Sequence, residues 1–311
     1  MTSPTLVDEV GATQEWAFGS YPYGLESLVL PEPGAMIRDR SRHAPTYRTG
    51  LWQELALLDP LPQPTTAEEL YWFRWITGHQ AVFALWQLID DELDLVLDNG
   101  SPSAATRAAR MMDAYSVLLV YTGSSSRELY EQLIRPAMML QHRSFSGRWA
   151  RDYATIPPRL RTLRARYRKQ PDAPTAIVEL NRAGRLNHQV HMAIAAKLVP
   201  NGDSLLRSGD GLAALGSPTE EAARLYDAFF VTQRAERTLP EVVDQLLHRL
   251  RVILLDLHSN GLYPPRSSGP AESPTDLGSA DLGSTELACF TDRAVPLLID
   301  ACTTAESLGQ C

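Results

Sequence analysis

The stretch from Trp72 to Leu97 reads WFRWITGHQAVFALWQLIDDELDLVL. Trp72, Trp75, His79, Phe83, Trp86, Ile89 and Leu93 recur at steps of three and four, the spacing of one face of an α-helix. Glycine occurs once, at Gly78, and proline not at all, so nothing interrupts the helical period. One buried stripe therefore carries three tryptophans and a single imidazole. A polar group on such a stripe is usually a core side chain with a satisfied hydrogen bond, and pattern alone assigns His79 that role.

The surrounding chain has 311 residues, 44% hydrophobic and 21% charged, the balance of an ordinary globular protein. A net charge of −8 argues against a nucleic-acid binder, which needs a basic face. No apolar run reaches the ~18 residues of a membrane span, and MTSPTLVDEVGATQ lacks the basic and apolar regions of a signal peptide. The expectation is a cytoplasmic protein that binds neither membrane nor nucleic acid. Cys289, Cys302 and Cys311 are odd in number and form no C-x-x-C, so neither a disulfide framework nor a cysteine-rich zinc site is expected.

Residues 1–45, rich in Pro and Gly, read as an irregular arm, and residues 46–311 as a single helical domain. Residues 46–64 (TYRTGLWQELALLDPLPQP) form a short amphipathic helix ended by Pro60 and Pro62. Helical periods follow over 104–121, 126–142, 159–169, 175–199, 220–237, 240–258 and 286–308, while 263–285 has the composition of a flexible loop. Strand patterns are scarce. The predicted fold is an all-α helical bundle.

Thr77 to Asp94, T-G-H-Q-A-x-x-A-L-W-x-x-x-x-x-E-L-D, resembles the H-Q-x-x-E-L-W-x-x-x-x-x-E-L-D helix of the haem-dependent tryptophan dioxygenase superfamily, with Ala84 in place of its acidic residue. The resemblance makes His79 a catalytic residue on the distal side of a haem, walled by Trp75. Thr46, Tyr47, Gly50 and Leu51 are similar to the family's T-Y-x-x-Y-L pocket segment, and Tyr47 stands 32 positions before His79. Gly50 replaces the second tyrosine. RPAMMLQHRSFSGRWARDY is similar to P-A-S-G-F-Q-S-x-Q-F-R, whose arginine holds the substrate carboxylate. Ungapped, that arginine falls on Ser146, and Arg148 two residues later is the candidate, a guanidinium being the two-pronged partner of a carboxylate.

Two histidines one turn apart, His188 and His191, could begin a zinc site, but no third ligand stands at a suitable spacing. R-L-N-H-Q-V-H-M is instead similar to the W-R-x-R-H-x-x-M helix that bears the proximal ligand. That assigns iron to His188, with Arg185 keeping the arginine offset and His191 as the alternative. The loop from Asn201 to Ser204 stands where the family's glycine-rich turn holds the amino-acid head group. Met192, not cysteine, lies four residues after His188, so the resemblance implies a non-covalent haem b.

The altered tyrosine and loop match the tyrosine-hydroxylase branch found in bacterial antibiotic biosynthesis. The implied function is 3-hydroxylation of L-tyrosine to L-DOPA by a homo-oligomeric haem enzyme, with hydrogen peroxide, or oxygen and a reductant, as oxidant. Oxidation of tryptophan or another indole is one alternative. Another is a magnesium-dependent, terpene synthase-like enzyme, because Asp90, Asp91 and Asp94 satisfy D-D-x-x-D and carboxylates bind hard cations. No second metal motif accompanies them.

Overall fold

A computed structural model describes residues 23–37, 64–168, 170, 172–199, 219–263 and 290–310. The organising helix, α1 (Ala67–Asn99), begins where Thr66 Oγ1 accepts the Glu69 N–H at 3.1 Å and Glu69 Oε2 accepts the Thr65 N–H at 2.7 Å. It ends at Gly100, whose φ of 69° suits a residue without Cβ and whose N–H reaches the Val96 carbonyl. Ser101 and Pro102 start α2 (Pro102–Thr122) at once, so α2 folds back along α1.

After α2 come α3 (Arg127–Leu129), a π-helical turn (Tyr130–Ile134) and α4 (Arg135–Gln141). The sequence predicts one helix here. Pro136 has no N–H to give the carbonyl one turn back, and the wider π turn lies just before it. Then follow α5 (Ile156–Tyr167), α6 (Thr175–Leu198), α7 (Glu220–Phe229), α8 (Leu239–Asn260) and α9 (Ala294–Gln310). Helix α2 packs between α1 and α6, α8 packs on α1, and α9 lies against α2 and α8. The protein is mostly helical, as the periodicity predicts.

Two departures matter for the site. Helix α7 stops at Phe229 instead of running to 237, and Thr232–Arg234 forms β2. Its partner is β1 (Leu28–Leu30), inside the stretch read as irregular, paired in parallel with Leu28 opposite Thr232. Gln245 on α8 holds Val29 through both backbone groups, its Oε1 accepting from Val29 N at 2.8 Å. The predicted 46–64 helix with Tyr47, the Asn201–Ser204 loop and nearly all of 263–285 lie outside the described residues.

Helix α1 is buried on nearly every side, which places Arg74, Gln80, Gln87, Asp90 and Glu92 in the interior. Such groups persist only when bonded. Arg74 gives Nε to Asp256 at 2.8 Å, Nη1 to Ser124 Oγ at 3.1 Å and to the Leu262 carbonyl at 2.7 Å, and Nη2 to the Gly261 carbonyl at 2.7 Å. Asp256 also accepts from the Tyr121 hydroxyl and from Asn260 Nδ2, each at 2.8 Å. This network locks the start of α1 to the end of α8. Among the described residues no helix is long and apolar enough to cross a membrane.

Candidate active site

Two glycines set the spacing of the central helices. A Cβ on Gly78 would collide with Thr122 Cγ2 and lie 3.1 Å from the Tyr121 ring, so α1 and α2 approach this closely only because position 78 has no side chain. A Cβ on Gly123 would lie 2.5 Å from Ile194 Cγ2, which gives the end of α2 the same intimacy with α6. Beside these contacts a cavity of about 320 Å³ opens. Trp75 and His79 line it from α1, Leu119 and Thr122 from α2, and His191, Ile194 and Leu198 from α6. Tyr130, Arg135, Met138, Phe145, Ser146, Tyr226 and Phe230 complete the wall.

His79 is the most constrained of these. Its Nδ1 lies 2.6 Å from the Trp75 carbonyl. A carbonyl only accepts, so Nδ1 carries the proton and Nε2 of the neutral ring is an acceptor. The imidazole stacks on Phe230 at 4.5 Å and is tilted against Trp75 at 4.4 Å. Burial pushes its pKa down to about 4; the Trp75 hydrogen bond opposes the shift and the charge of His191 adds to it. At neutral pH His79 is therefore uncharged. His191 is pushed down as well, by burial first and by the charge of His188 second. Much of the His191 surface is open, yet the neighbouring walls restrict the water that could hydrate its cation.

Phe230 is held from behind. Gln80 Nε2 donates to the Phe230 and Glu26 carbonyls, each at 2.9 Å, and Gln80 Oε1 accepts from Arg249 Nε at 3.0 Å. The next residue, Val231, has a φ of 51°, a left-handed conformation that a β-branched side chain rarely adopts. The Leu28 N–H fixes the Val231 carbonyl at 3.0 Å, so the strand pair and Gln80 together hold the strained turn that aims Phe230 at His79. Tyr226 stacks on Phe145 at 5.3 Å, and its hydroxyl pKa is pushed up by burial and by the charges of Asp152 and Asp227.

The structure brings His79 and Trp75 together at one cavity and places three other candidates outside it. His191 faces the cavity, whereas His188 is exposed one turn nearer the helix start, roughly 4.5 Å along the axis. Arg148 is exposed too. The guanidinium on the wall is Arg135, and Ser146, buried beside it, occupies the ungapped arginine position. Asp90 and Asp94 are spent on α5: Thr155 Oγ1 donates to Asp90 at 2.6 Å and Arg159 grips Asp94 at 2.7 and 3.1 Å. A cation at D-D-x-x-D would have to displace a guanidinium, and no group of three metal-binding side chains occurs among the described residues. Tyr130, Tyr226 and Phe230 carried no motif. The β-branched pair Val231-Thr232 after Phe230 was the one hint that α7 ends there.

These residues fit an iron porphyrin. Two imidazoles held neutral, the form that ligates iron, meet one aromatic cavity from different helices. The Trp75 Nε1 donor on its wall is buried and unbonded, and Arg135 supplies one positive charge.

Residues 34–177 match the family model described as SfmD 3-methyl-L-tyrosine peroxygenase. No curated protein matches the chain. The match takes in α1 with His79, all of α2 and the wall from Tyr130 to Gly147, and it stops inside α6 ahead of His188 and His191. Over residues 34–177, a little under half its length, the chain is similar to this haem-dependent, tryptophan-dioxygenase-like family of peroxygenases.

Proposed function

We propose that this chain is a haem-dependent peroxygenase that hydroxylates L-tyrosine at ring carbon 3, giving L-DOPA in bacterial natural-product biosynthesis. One observation carries the reading: a neutral imidazole, His79, keeps Nε2 available at an aromatic cavity that a second neutral imidazole, His191, also lines. In the overall reaction a ring C–H becomes C–OH, one peroxide oxygen enters the ring and the other leaves as water. Haem, when bound, supplies the activation of peroxide.

The chain's own residues do the rest. His191 would hold the iron. His79 Nε2 accepts the phenol hydrogen bond and takes up its proton, which a pKa near 4 permits only in the neutral form present at pH 7. Trp75 and Phe230 clamp the imidazole between rings so that its lone pair keeps one direction. Arg135 would pair with the amino-acid carboxylate in place of Arg148. The surrounding aromatic rings exclude water from the reacting ring.

A second reading, hydroxylation of 3-methyl-L-tyrosine, is favoured by the description of the matched family. Absorption spectra after haem addition, followed by product analysis with peroxide or with oxygen and ascorbate, test both. We expect a Soret band in the wild type that His191→Ala abolishes or shifts and His188→Ala preserves. L-Tyrosine, 3-methyl-L-tyrosine and L-tryptophan assayed side by side then rank the substrates. A protein that takes up no haem, or that oxidises only tryptophan, overturns the proposal.

A further inference from the structure

A second cavity, of about 640 Å³, lies between the end of α5 and the first half of α6. The candidate active site uses the other half of α6, from His191 onward. Arg164, Tyr167, Arg168, Asn181 and Arg185 provide the polar lining, and among the described residues no acidic one contributes. Four other partly or fully buried arginines show the contrast. Arg74, Arg151, Arg159 and Arg234 each reach a carboxylate at 2.7–2.9 Å. Arg164, also half-buried, makes no ion pair among the described residues, and its Nε is buried without a partner. Its charged neighbour is instead Arg185, which together with burial lowers its pKa.

The local structure accommodates this arrangement. Gly184 leaves the space in which the Arg164 guanidinium lies across α6, since a Cβ there would stand 3.2 Å from Nη2. Asn181 Oδ1 is likewise buried and unbonded. Guanidinium donors with no counter-charge, beside one bare acceptor, form the complement of an anion that also carries a proton.

We propose that this cavity binds a small oxyanion of the hydrogen-phosphate type, between Arg164, Arg168 and Arg185, with Asn181 Oδ1 accepting its hydroxyl. Binding relieves the repulsion between Arg164 and Arg185 and satisfies both buried orphan atoms.

Calorimetric titration of inorganic phosphate into the purified full chain, at ionic strength held constant with potassium chloride, tests this. We expect saturable binding in the wild type, weakened about tenfold or more in Arg164→Gln and Arg185→Gln and unchanged in Arg161→Gln, an exposed α5 arginine outside the cavity. Gly184→Ala keeps every charge but crowds Arg164 Nη2. It should weaken phosphate binding while its circular dichroism stays that of the wild type, so the outcome does not hang on the arginine variants folding. Absence of saturable binding, or an Arg161→Gln loss equal to that of Arg164→Gln, overturns the proposal. The titration is then repeated on haem-loaded protein. Unchanged affinity supports a separate site; competition would assign the cavity to the haem carboxylates and overturn it.

Discussion

The two halves of α1 present polar side chains to the interior in opposite ways. In the second half, Asp90 and Asp94 meet Thr155 and Arg159, and Glu92 meets Arg107 at 2.8 Å, so the motif most suggestive of metal chemistry is neutralised by the fold. In the first half Arg74 is matched just as fully, yet Trp75 Nε1 on the next residue has no partner, and His79 one turn further on uses one nitrogen of two. Buried polar atoms are costly to leave unbonded. Two unbonded atoms, Trp75 Nε1 and His79 Nε2, belong to residues that line one cavity, the place where a ligand would complete the structure.

The largest expected effect breaks the open half. His79→Gln should lower turnover of haem-loaded protein about 10²- to 10⁴-fold, the range for loss of a general acid–base group, while the Soret band persists. Steady-state assays beside spectra check this, and full activity would remove His79 from the mechanism. Next comes the matched half. Asp256→Ala strands a buried guanidinium and a tyrosine hydroxyl, and should cost about 3–5 kcal/mol by denaturant unfolding.

The third test reads the pH dependence of folding. His79 titrates near 4 when folded and near 6.5 when unfolded, so only the unfolded chain takes up its proton between those values. Its contribution is complete above pH 6.5 and falls away as pH drops toward 4, by about 3 kcal/mol at most. Urea melts from pH 7 to 4 should show this slope flattened in His79→Gln. The smallest effect is at the carboxylates: Asp94→Asn loosens a pair whose acid is 41% exposed, and should cost under about 1 kcal/mol with turnover and EDTA tolerance unchanged. A collapse of activity there would revive the magnesium reading.

The helix carrying His79 was legible because a period of 3.6 residues is written locally. Trp75 followed from the same face. The opposing residues were not legible in this way. Spacing puts His188 and His191 on one face of α6, but it does not say which turn stands level with His79. That Arg135 and not Arg148 lines the cavity depends on a π turn and a loop, and the wall made by Tyr226 and Phe230 depends on a strand pairing between residues some two hundred positions apart.

By itself, then, the sequence determined the helical elements, the buried aromatic stripe and the single imidazole on it, because each follows from neighbours within one or two turns. Tertiary structure alone decided which groups stayed open for chemistry. The axial register of α1, α2 and α6 is set by the contacts of Gly78 with Thr122 and of Gly123 with Ile194. The polar groups left over are those that no distant partner, such as Asp256 for Arg74 or Arg159 for Asp94, has reached. Both are long-range packing outcomes, and no local period encodes them.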